Sequence, residues 1–386
     1  MSVTSALGFR AAGVAAGLKS TGKPDVAVVV NDGPDHHAAA VFTTNRVAAA
    51  PVVWSRQAVS DGRADAVVLN SGGANAATGH QGFQDAHATA EHAAERLGVS
   101  AGDVLVCSTG LIGLPQAMDK LVPGVTAGVQ ALSVDGGDAA AEAIMTTDSV
   151  PKKAVHAGAG YTIGGMAKGA GMLAPGMATM LCVITTDAVV DAAGLDAALT
   201  EAVRTTLNRA DSDGCMSTND TVVLMSSGAS GTTPDPGEFQ EGLRQVCASL
   251  ARQLIADAEG AAHEIVIRVV NATTEGAAEA VARAVARSNL FKTAVFGQDP
   301  NWGRVISAVG TVPEDVAPFD PGLLDVTFNG VQVCRQAGVG EDRELVDLSG
   351  REVSVVIDLH AGAAEATIWT NDLTHDYVHE NSAYSS

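Results

Sequence analysis

Residues 66–107 read AVVLNSGGANAATGHQGFQDAHATAEHAAERLGVSAGDVLVC. Two short apolar runs, 66–69 and 104–107, flank an alanine-rich stretch at 83–97. Short apolar runs bounded by turn residues indicate buried strands, and a longer run with apolar residues three and four apart indicates a helix. The stretch therefore predicts a strand, a helix and a second strand, which is the pattern of an α/β protein.

The same alternation extends along the chain in both directions. Further strands are predicted at 26–30, 180–185, 222–225 and 264–270, and further helices at 138–145, 195–207, 237–258 and 276–288. The last part is rich in strands with period-two alternation, at 324–333, 353–359 and 364–370. We therefore predict an α/β fold of layered sheets that includes antiparallel pairs.

The composition limits both the fold and the class of function. With 386 residues the chain exceeds the usual size of a single core, so two domains or two closely packed halves are expected. Only 4% of the residues are aromatic, which leaves alanine and valine to fill the core. The net charge of -21 argues against a nucleic-acid partner, because such binding depends on clustered Lys and Arg. Chemistry on a small molecule is the better expectation.

The five cysteines give no sign of a metal site or of disulfides. They are widely spaced, at Cys107, Cys182, Cys215, Cys247 and Cys334, and no C-x-x-C pair occurs. No metal is expected, and reduced, buried thiols of a cytoplasmic protein are the plain interpretation. The longest uncharged stretch, 170–186, is too short to span a membrane and contains Pro175, so no membrane partner is expected.

Residues 166–181, MAKGAGMLAPGMATML, place Thr179 where a glycine-rich loop leads into a strand. A threonine in a strained loop can attack the preceding carbonyl and cut the chain. Its freed α-amine, with a reference pKa of about 7.7 to 8.0, can then act as base for the hydroxyl. The alternative is an ordinary loop before a buried strand, and the loop alone leaves both open.

Two neighbouring features add candidate site residues. Ser108, Thr109 and Gly110 follow the predicted strand 104–107, and a turn there can direct donors at an oxyanion, although such turns are also common without a function. Lys168 lies in the glycine-dense segment 158–176 and could bind a substrate carboxylate. An exposed lysine on a mobile loop is the ordinary interpretation, and the phosphate-loop pattern is absent.

Motifs along nearly the whole chain resemble the ornithine acetyltransferase family, also called glutamate N-acetyltransferase. They are GFRAAG (8–13), AVFTTNR (40–46), VLNSGGAN (68–75), CSTGLIG (107–113), KGAGMLAP (168–175) with ATML (178–181), DGCMSTND (213–220), GQDPNWGR (297–304) and ENSAYSS (380–386). Several long motifs in family order make a chance match negligible. The resemblance implies a self-cleaving enzyme of arginine biosynthesis that moves acetyl from N-acetylornithine to glutamate.

The resemblance also implies a role for particular residues. Thr179 is the expected nucleophile, and the Ala178–Thr179 bond is the expected cleavage site, giving an α chain 1–178 and a β chain 179–386. Thr109 and Gly110 are the expected oxyanion hole. The expected substrate contacts are Thr146 (with Thr147 equally well placed), Lys168, Thr179, Glu259, Asn381 and Ser386.

The fold implied by the resemblance has sheets sandwiched by helices, like that of the self-processing aminopeptidases. Two α and two β chains are expected to assemble, without a cofactor, in the cytoplasm. Whether acetyl-CoA is a second acetyl donor stays open. The alternatives are a related self-processing amidohydrolase that passes the acyl group to water, and a processed binding protein without turnover.

Overall fold

The structure is a computed structural model that describes residues 2–174 and 180–383. These residues form two compact units. The first combines the chain up to Asn208 with Cys215–Leu254, and the second combines Arg209–Gly214 with the chain from Ile255 onwards. The units do not coincide with the predicted α and β chains, because the first contains residues from both sides of the 178/179 bond. Each unit is described by itself below.

The strands of the first unit form two sheets. They are β1 (Phe9–Val14), β2 (Val26–Asn31), β3 (His37–Phe42), β4 (Ala66–Asn70), β5 (Val104–Ser108), β6 (Lys152–Ala157), β7 (Thr162–Lys168), β8 (Leu181–Thr186) and β9 (Thr221–Ser226). One sheet has the order β1-β2-β4-β5, and the other has the order β3-β9-β8-β7-β6. Only the β4–β5 and β8–β9 pairs are parallel within these sheets.

Helices pack against the two sheets. They are α1 (Ala50–Ala58), α2 (Gly79–Leu97), α3 (Met118–Gln130), α4 (Gly137–Ala143), α5 (Ala192–Thr205) and α6 (Pro236–Ala256). Ala140 and Ala141 of α4 lie in the cluster between the sheets. Val29 and Leu69 of one sheet share a buried cluster with Val183 of the other, so the sheets pack face to face. The opposite face of the first sheet packs against Ala90 of α2 and Val125 of α3. This layering confirms the predicted sheets sandwiched by helices.

The second unit contains one mixed sheet. Its strands are β10 (Glu264–Ala272), β11 (Asp325–Phe328), β12 (Val331–Arg335), β13 (Gly338–Val339), β14 (Glu352–Asp358) and β15 (Ala364–Asn371), in the order β13-β12-β11-β14-β10-β15. The helices are α7 (Glu275–Ala286), α8 (Asn289–Phe296), α9 (Trp302–Val309) and α10 (His375–Ala383). Val281 of α7, Phe291 of α8 and Val305 of α9 pack with Ile267 of the sheet in one core.

The prediction of one strand over 324–333 is wrong, because this segment turns back on itself. β11 ends at Phe328 and β12 begins at Val331, and the two strands pair antiparallel. Asn329 and Gly330 between them have φ of 45° and 88°. Asn-Gly with positive φ at both positions is the favoured two-residue hairpin turn. The turn signal was present in the sequence and outweighs the apolar run around it.

The glycine-dense segment 158–176 also contains a strand that was not predicted. β7 includes Gly164 and Gly165, which made it resemble a loop. A Cβ at Gly164 would lie 2.2 Å from the backbone oxygen of Ser2, and one at Gly165 would lie 3.2 Å from Leu250 of α6. These glycines therefore permit close packing on both faces of a buried strand, rather than flexibility.

Further expectations concern the cysteines, metal sites and membrane spans. None of the five cysteines forms a disulfide, but Cys215 is exposed, so the expectation of buried thiols is wrong for that residue. No group of three His, Cys, Asp or Glu residues within 2–174 and 180–383 is arranged to hold a metal ion. In the same part of the chain, no helix is long and apolar enough to cross a membrane.

Candidate active site

The two strands that flank the candidate cleavage segment are neighbours in the five-stranded sheet. β7 ends at Lys168 and β8 begins at Leu181, and these two residues are partners in the antiparallel pair. The chain between them includes Ala178 and Thr179. Both residues lie outside the described part of the chain, as does Ser386. The candidate site therefore consists of described residues at this end of β7 and β8 and of the residues that contact them.

Lys168 lies in the core and contacts Thr109. Its side chain is at the end of β7 and only 2% of the residue is exposed, so the interpretation as an exposed loop lysine is wrong. Lys168 Nζ donates to Thr109 Oγ1 at 3.1 Å. Because an ammonium has no acceptor, Thr109 Oγ1 must accept this bond. The Thr109 hydroxyl thus keeps its proton for another acceptor.

The turn after β5 holds a second donor beside this hydroxyl. The Thr109 amide donates to Asn70 O at 2.9 Å, and the Gly73 amide donates to Thr109 O at 3.0 Å. Gly110 follows with φ of 131°, a conformation that favours glycine. The Gly110 amide has no hydrogen-bond partner among residues 2–174 and 180–383. A hydroxyl and an amide proton are therefore adjacent and available, as an oxyanion hole requires.

A network of amide side chains holds this turn, and sequence reasoning gave its members no role. Asn219 Nδ2 donates to Ser108 O at 2.8 Å and to Ala74 O at 2.5 Å. Ser108 Oγ donates to Asn70 Oδ1 at 2.6 Å, and Asn70 Nδ2 donates to Gly73 O at 3.2 Å. Buried amides that each make two or more bonds fix a backbone rigidly. The signals in the sequence were the positions of Asn70 and Asn219 beside buried strands and within two of the family motifs.

Asp148 ties the segment around Thr146 to the end of β7. Asp148 Oδ2 accepts from the Thr146 amide at 2.9 Å, and Oδ1 accepts from the Gly169 amide at 2.7 Å. Lys152 Nζ donates to the same Oδ1 at 2.5 Å. The structure thus brings Thr146 and Lys168, two predicted substrate contacts, to one location. Thr146 and Thr147 are both half-buried, so burial does not choose between them.

The charges around Asp148 are strongly coupled. Burial on its own would raise the pKa of the Asp148 carboxyl, but the ammonium groups of Lys168 and Lys152 overcome this and lower the pKa to about 2. Asp148 is therefore ionised at neutral pH. The ammonium groups of Lys168 and Lys152 both act on this carboxylate. Such a neighbourhood favours a negative charge that develops close to it.

Two other predicted substrate residues, Glu259 and Asn381, meet in the second unit. Asn381 of α10 donates through Nδ2 to Glu259 Oε2 at 3.0 Å. Glu259 is 8% exposed, and Asn381 is exposed. A Cβ on Gly260 would lie 2.1 Å from the Tyr377 amide nitrogen, so only glycine allows α10 to approach the loop of Glu259 this closely. Glu259 and Asn381 are therefore neighbours in the structure, and their role in substrate binding stays a prediction.

Proteins of similar sequence show the family of this chain. The model of the ArgJ family matches residues 10–386. The chain belongs to the ArgJ family. The arginine biosynthesis bifunctional proteins ArgJ of Streptomyces coelicolor and of Thermobifida fusca are each 62% identical to it over 386 residues, with both chains covered completely. This ArgJ-family chain is a bifunctional enzyme of arginine biosynthesis.

Solved structures include one of a similar protein. The crystal structure of ornithine acetyltransferase complexed with ornithine from Mycobacterium tuberculosis is of a chain 55% identical to this one, with a TM-score of 0.45. The match covers 47% of this chain and 96% of that chain. The mixed α/β architecture predicted for this ArgJ-family chain is confirmed by its own three sheets and their helices.

Proposed function

We propose that Thr179 of this ArgJ-family enzyme carries the acetyl group between donor and acceptor as an ester. The enzyme is an ornithine acetyltransferase and an amino-acid N-acetyltransferase. In the first half-reaction the Thr179 hydroxyl attacks the acetyl carbonyl of N-acetylornithine, and the Thr179 α-amine takes the proton. The amide C–N bond breaks, and the proton passes to the departing nitrogen of ornithine.

The second half-reaction returns the enzyme to its starting state. The α-amine of glutamate attacks the acetyl ester, the bond from the carbonyl carbon to Thr179 Oγ1 breaks, and the hydroxyl regains its proton. The products are N-acetylglutamate and free enzyme. The same acetyl ester, formed from acetyl-CoA with release of the thiol, accounts for the second activity without a separate cofactor.

The single observation that carries this proposal is the pair of donors at Thr109 and Gly110. Thr109 Oγ1 accepts from the Lys168 ammonium and so keeps its own proton for another acceptor, and the Gly110 amide has no partner in the described residues. Each donor of this kind contributes about 2.7 to 4 kcal/mol when it meets a developing alkoxide. Attack on an acetyl carbonyl produces such an alkoxide in both half-reactions.

Opposite charges suit the two amino-acid substrates. N-acetylornithine has a cationic side chain and glutamate an anionic one, and their shared α-amino-acid part can occupy one pocket. Glu259 provides a nearly buried carboxylate, and Lys168 provides a buried ammonium. We assign Glu259, with Asn381 bonded to it, to the ornithine side chain and Lys168 to a substrate carboxylate. Thr146, Thr179 and Ser386 complete the proposed contacts.

Self-cleavage at Ala178–Thr179 would leave strands of both product chains in one sheet. The α chain would contribute β3, β6 and β7 to the five-stranded sheet, and the β chain would contribute β8 and β9. Six residue pairs join β7 to β8, and six more join β3 to β9. The cut chains would therefore stay together. We extend the proposal to two α and two β chains per enzyme and to the cytoplasm, where cysteine thiols outside disulfides stay reduced.

Peptide mass analysis of the acetylated enzyme tests the proposal. Processed enzyme incubated with N-acetylornithine and no glutamate should carry one acetyl group on the peptide that begins at Thr179, and glutamate should discharge it as N-acetylglutamate. Thr179→Ser should retain part of this activity, because it keeps a hydroxyl. Thr179→Ala should neither cleave nor acetylate. A wild-type enzyme that turns over without acetylated peptide after a rapid quench would contradict the ester intermediate, and release of acetate in place of N-acetylglutamate would indicate a hydrolase.

A further inference from the structure

Asp220 is a buried carboxyl hydrogen-bonded to Met180, the residue after the proposed nucleophile in the sequence, and the mechanism above does not use it. The residue is completely buried and lies just before β9. Its Oδ1 accepts from the Met180 amide at 3.0 Å. In the sequence Met180 follows Thr179 directly, so the carboxyl holds the peptide unit that joins Met180 to the proposed nucleophile. An aspartate in this position requires a physical reason, because burial of a carboxyl is costly.

Both sides of this contact are fixed by neighbouring strands. The Thr221 amide donates to Met180 O at 3.2 Å, so Met180 is held by its own amide and by its own carbonyl. The Thr43 amide donates to Asp220 O at 2.9 Å and anchors the backbone that carries the carboxyl. Asp220 thus sits in a rigid frame at one end of β8. A side chain held in this way can fix the position of the amide to which it bonds. It thereby constrains the residue that comes before that amide in the chain.

The second oxygen of Asp220 differs from the first. Ser217 lies beside the carboxyl, yet Oδ2 makes no hydrogen bond of normal geometry with any described residue. Burial raises the pKa of Asp220 well above its usual value, and the Met180 amide and the charge of Lys168 oppose this only in part. The neutral carboxylic acid is therefore the favoured form. A neutral acid can accept through Oδ1 and still avoid the cost of a buried charge.

We propose that Asp220 is a positioning residue for the nucleophile: it fixes the Met180 amide and thereby sets the place of the Thr179 hydroxyl. The proposal rests on the role of Thr179 proposed above. The role of Asp220 is to accept the hydrogen bond of the Met180 amide and not to exchange a proton with substrate. An error of about 1 Å in the position of a reacting group can cost about 100-fold in rate, so loss of this anchor should slow the chemistry rather than weaken substrate binding.

Two substitutions at Asp220 test whether its role requires a hydrogen-bond acceptor or a negative charge. Asp220→Asn keeps an oxygen that accepts from the Met180 amide and is neutral, so it should retain most of the rate of self-cleavage and of acetyl-Thr179 formation. Asp220→Ala removes the acceptor and should slow acetyl-Thr179 formation about 100-fold, with KM for N-acetylornithine unchanged. The readouts are the fraction of precursor cleaved with time, kcat and KM of the processed enzyme, and the thermal unfolding midpoint.

Asp187 offers a matched control at the other end of β8. It is 2% exposed, and it accepts from the Leu7 amide at 2.9 Å and from the Thr162 amide at 2.7 Å. Asp187→Ala should lower the unfolding midpoint and leave kcat close to wild type. Slow or absent cleavage in Asp220→Ala with an unfolding midpoint no lower than that of Asp187→Ala would support the positioning role.

Three results would overturn the assignment to Asp220. They are a wild-type kcat in Asp220→Ala, an equal loss in Asp220→Asn and Asp220→Ala, and an equal loss of kcat in Asp187→Ala. The second would mean that the charge of a carboxylate is needed, and the third that general destabilisation is the cause. A wild-type enzyme without acetylated Thr179 would instead contradict the proposed function itself, which distinguishes the two failures.

Discussion

Replacement of Gly110 by valine should remove an oxyanion donor without removing any polar side chain. Gly110 has φ of 131°, which side chains rarely adopt, and a Cβ there would lie 2.7 Å from the Gly73 nitrogen and 3.0 Å from the Gly73 Cα. These are backbone atoms, so no rotamer change relieves the contact. The turn must move, and the Gly110 amide moves with it. Backbone strain of this kind costs about 1 to 3 kcal/mol of stability.

The effect on catalysis should be larger than the effect on binding. Loss of one oxyanion donor costs about 2.7 to 4 kcal/mol in the transition state, or about 10² to 10³ in kcat. The substrate carbonyl in the ground state gains little from the same donor, so KM should change little. Initial rates of the processed enzyme with N-acetylornithine and glutamate measure both constants, and thermal unfolding measures the strain.

Gly113 supplies the control three residues along the same loop. Its φ is 84°, but a Cβ there would meet no described atom within 4 Å. Gly113→Val therefore imposes a similar backbone conformational penalty without displacing Gly73, and it should keep kcat near wild type. If Gly110→Val folds stably and turns over at the wild-type rate, or if both variants lose kcat equally, the turn after β5 is not the oxyanion hole.

Three further substitutions test the roles of charged residues. Lys168→Met should lower kcat, because Thr109 Oγ1 loses its donor, and should raise KM for glutamate in initial-rate measurements; an unchanged KM would remove the carboxylate role. Glu259→Gln should raise KM for N-acetylornithine about 10- to 100-fold through loss of a charged hydrogen bond, while KM for glutamate stays constant. Asp148 has a pKa lowered to about 2, so its stabilisation, on the order of 2 kcal/mol, is present above about pH 4 and disappears as pH falls towards 2. Urea unfolding should therefore show the stability difference between wild type and Asp148→Asn shrinking from about pH 6 to about pH 3, and a constant difference would contradict the ionised, lysine-paired state.

The positions of most buried strands could be predicted from the sequence. Strands β2, β4, β5, β8 and β9 lie within one residue of the predicted runs, because a short run of consecutive apolar residues between turn residues is typical of a buried strand. Helices α2, α5, α6 and α7 were also predicted, with ends displaced by up to about four residues as expected for local patterns.

Other elements were not predicted because their sequences carry a weaker local signal. They are β1, β3, β6, β7, α1, α3, α8, α9 and α10. In β7 the glycines are explained by Ser2 and Leu250, which are distant in sequence and meet only after folding. In α3 a proline stands inside the helix at Pro123, within its first two turns. Local propensity is overridden in such cases by packing against the rest of the fold.

The sequence by itself determined the family, the α/β class and the identity of the candidate site residues, because motifs and apolar runs are local and can be read along the chain. The tertiary structure alone decided how those residues meet. Lys168 bonds to Thr109 across 59 positions of sequence, and Asp220 holds the Met180 amide across 40. Such contacts depend on strand order and register, which no spacing along the chain encodes. Burial then sets the chemistry, since the same carboxyl type is ionised at Asp148, beside two lysines, and favours the neutral form at Asp220, where burial prevails.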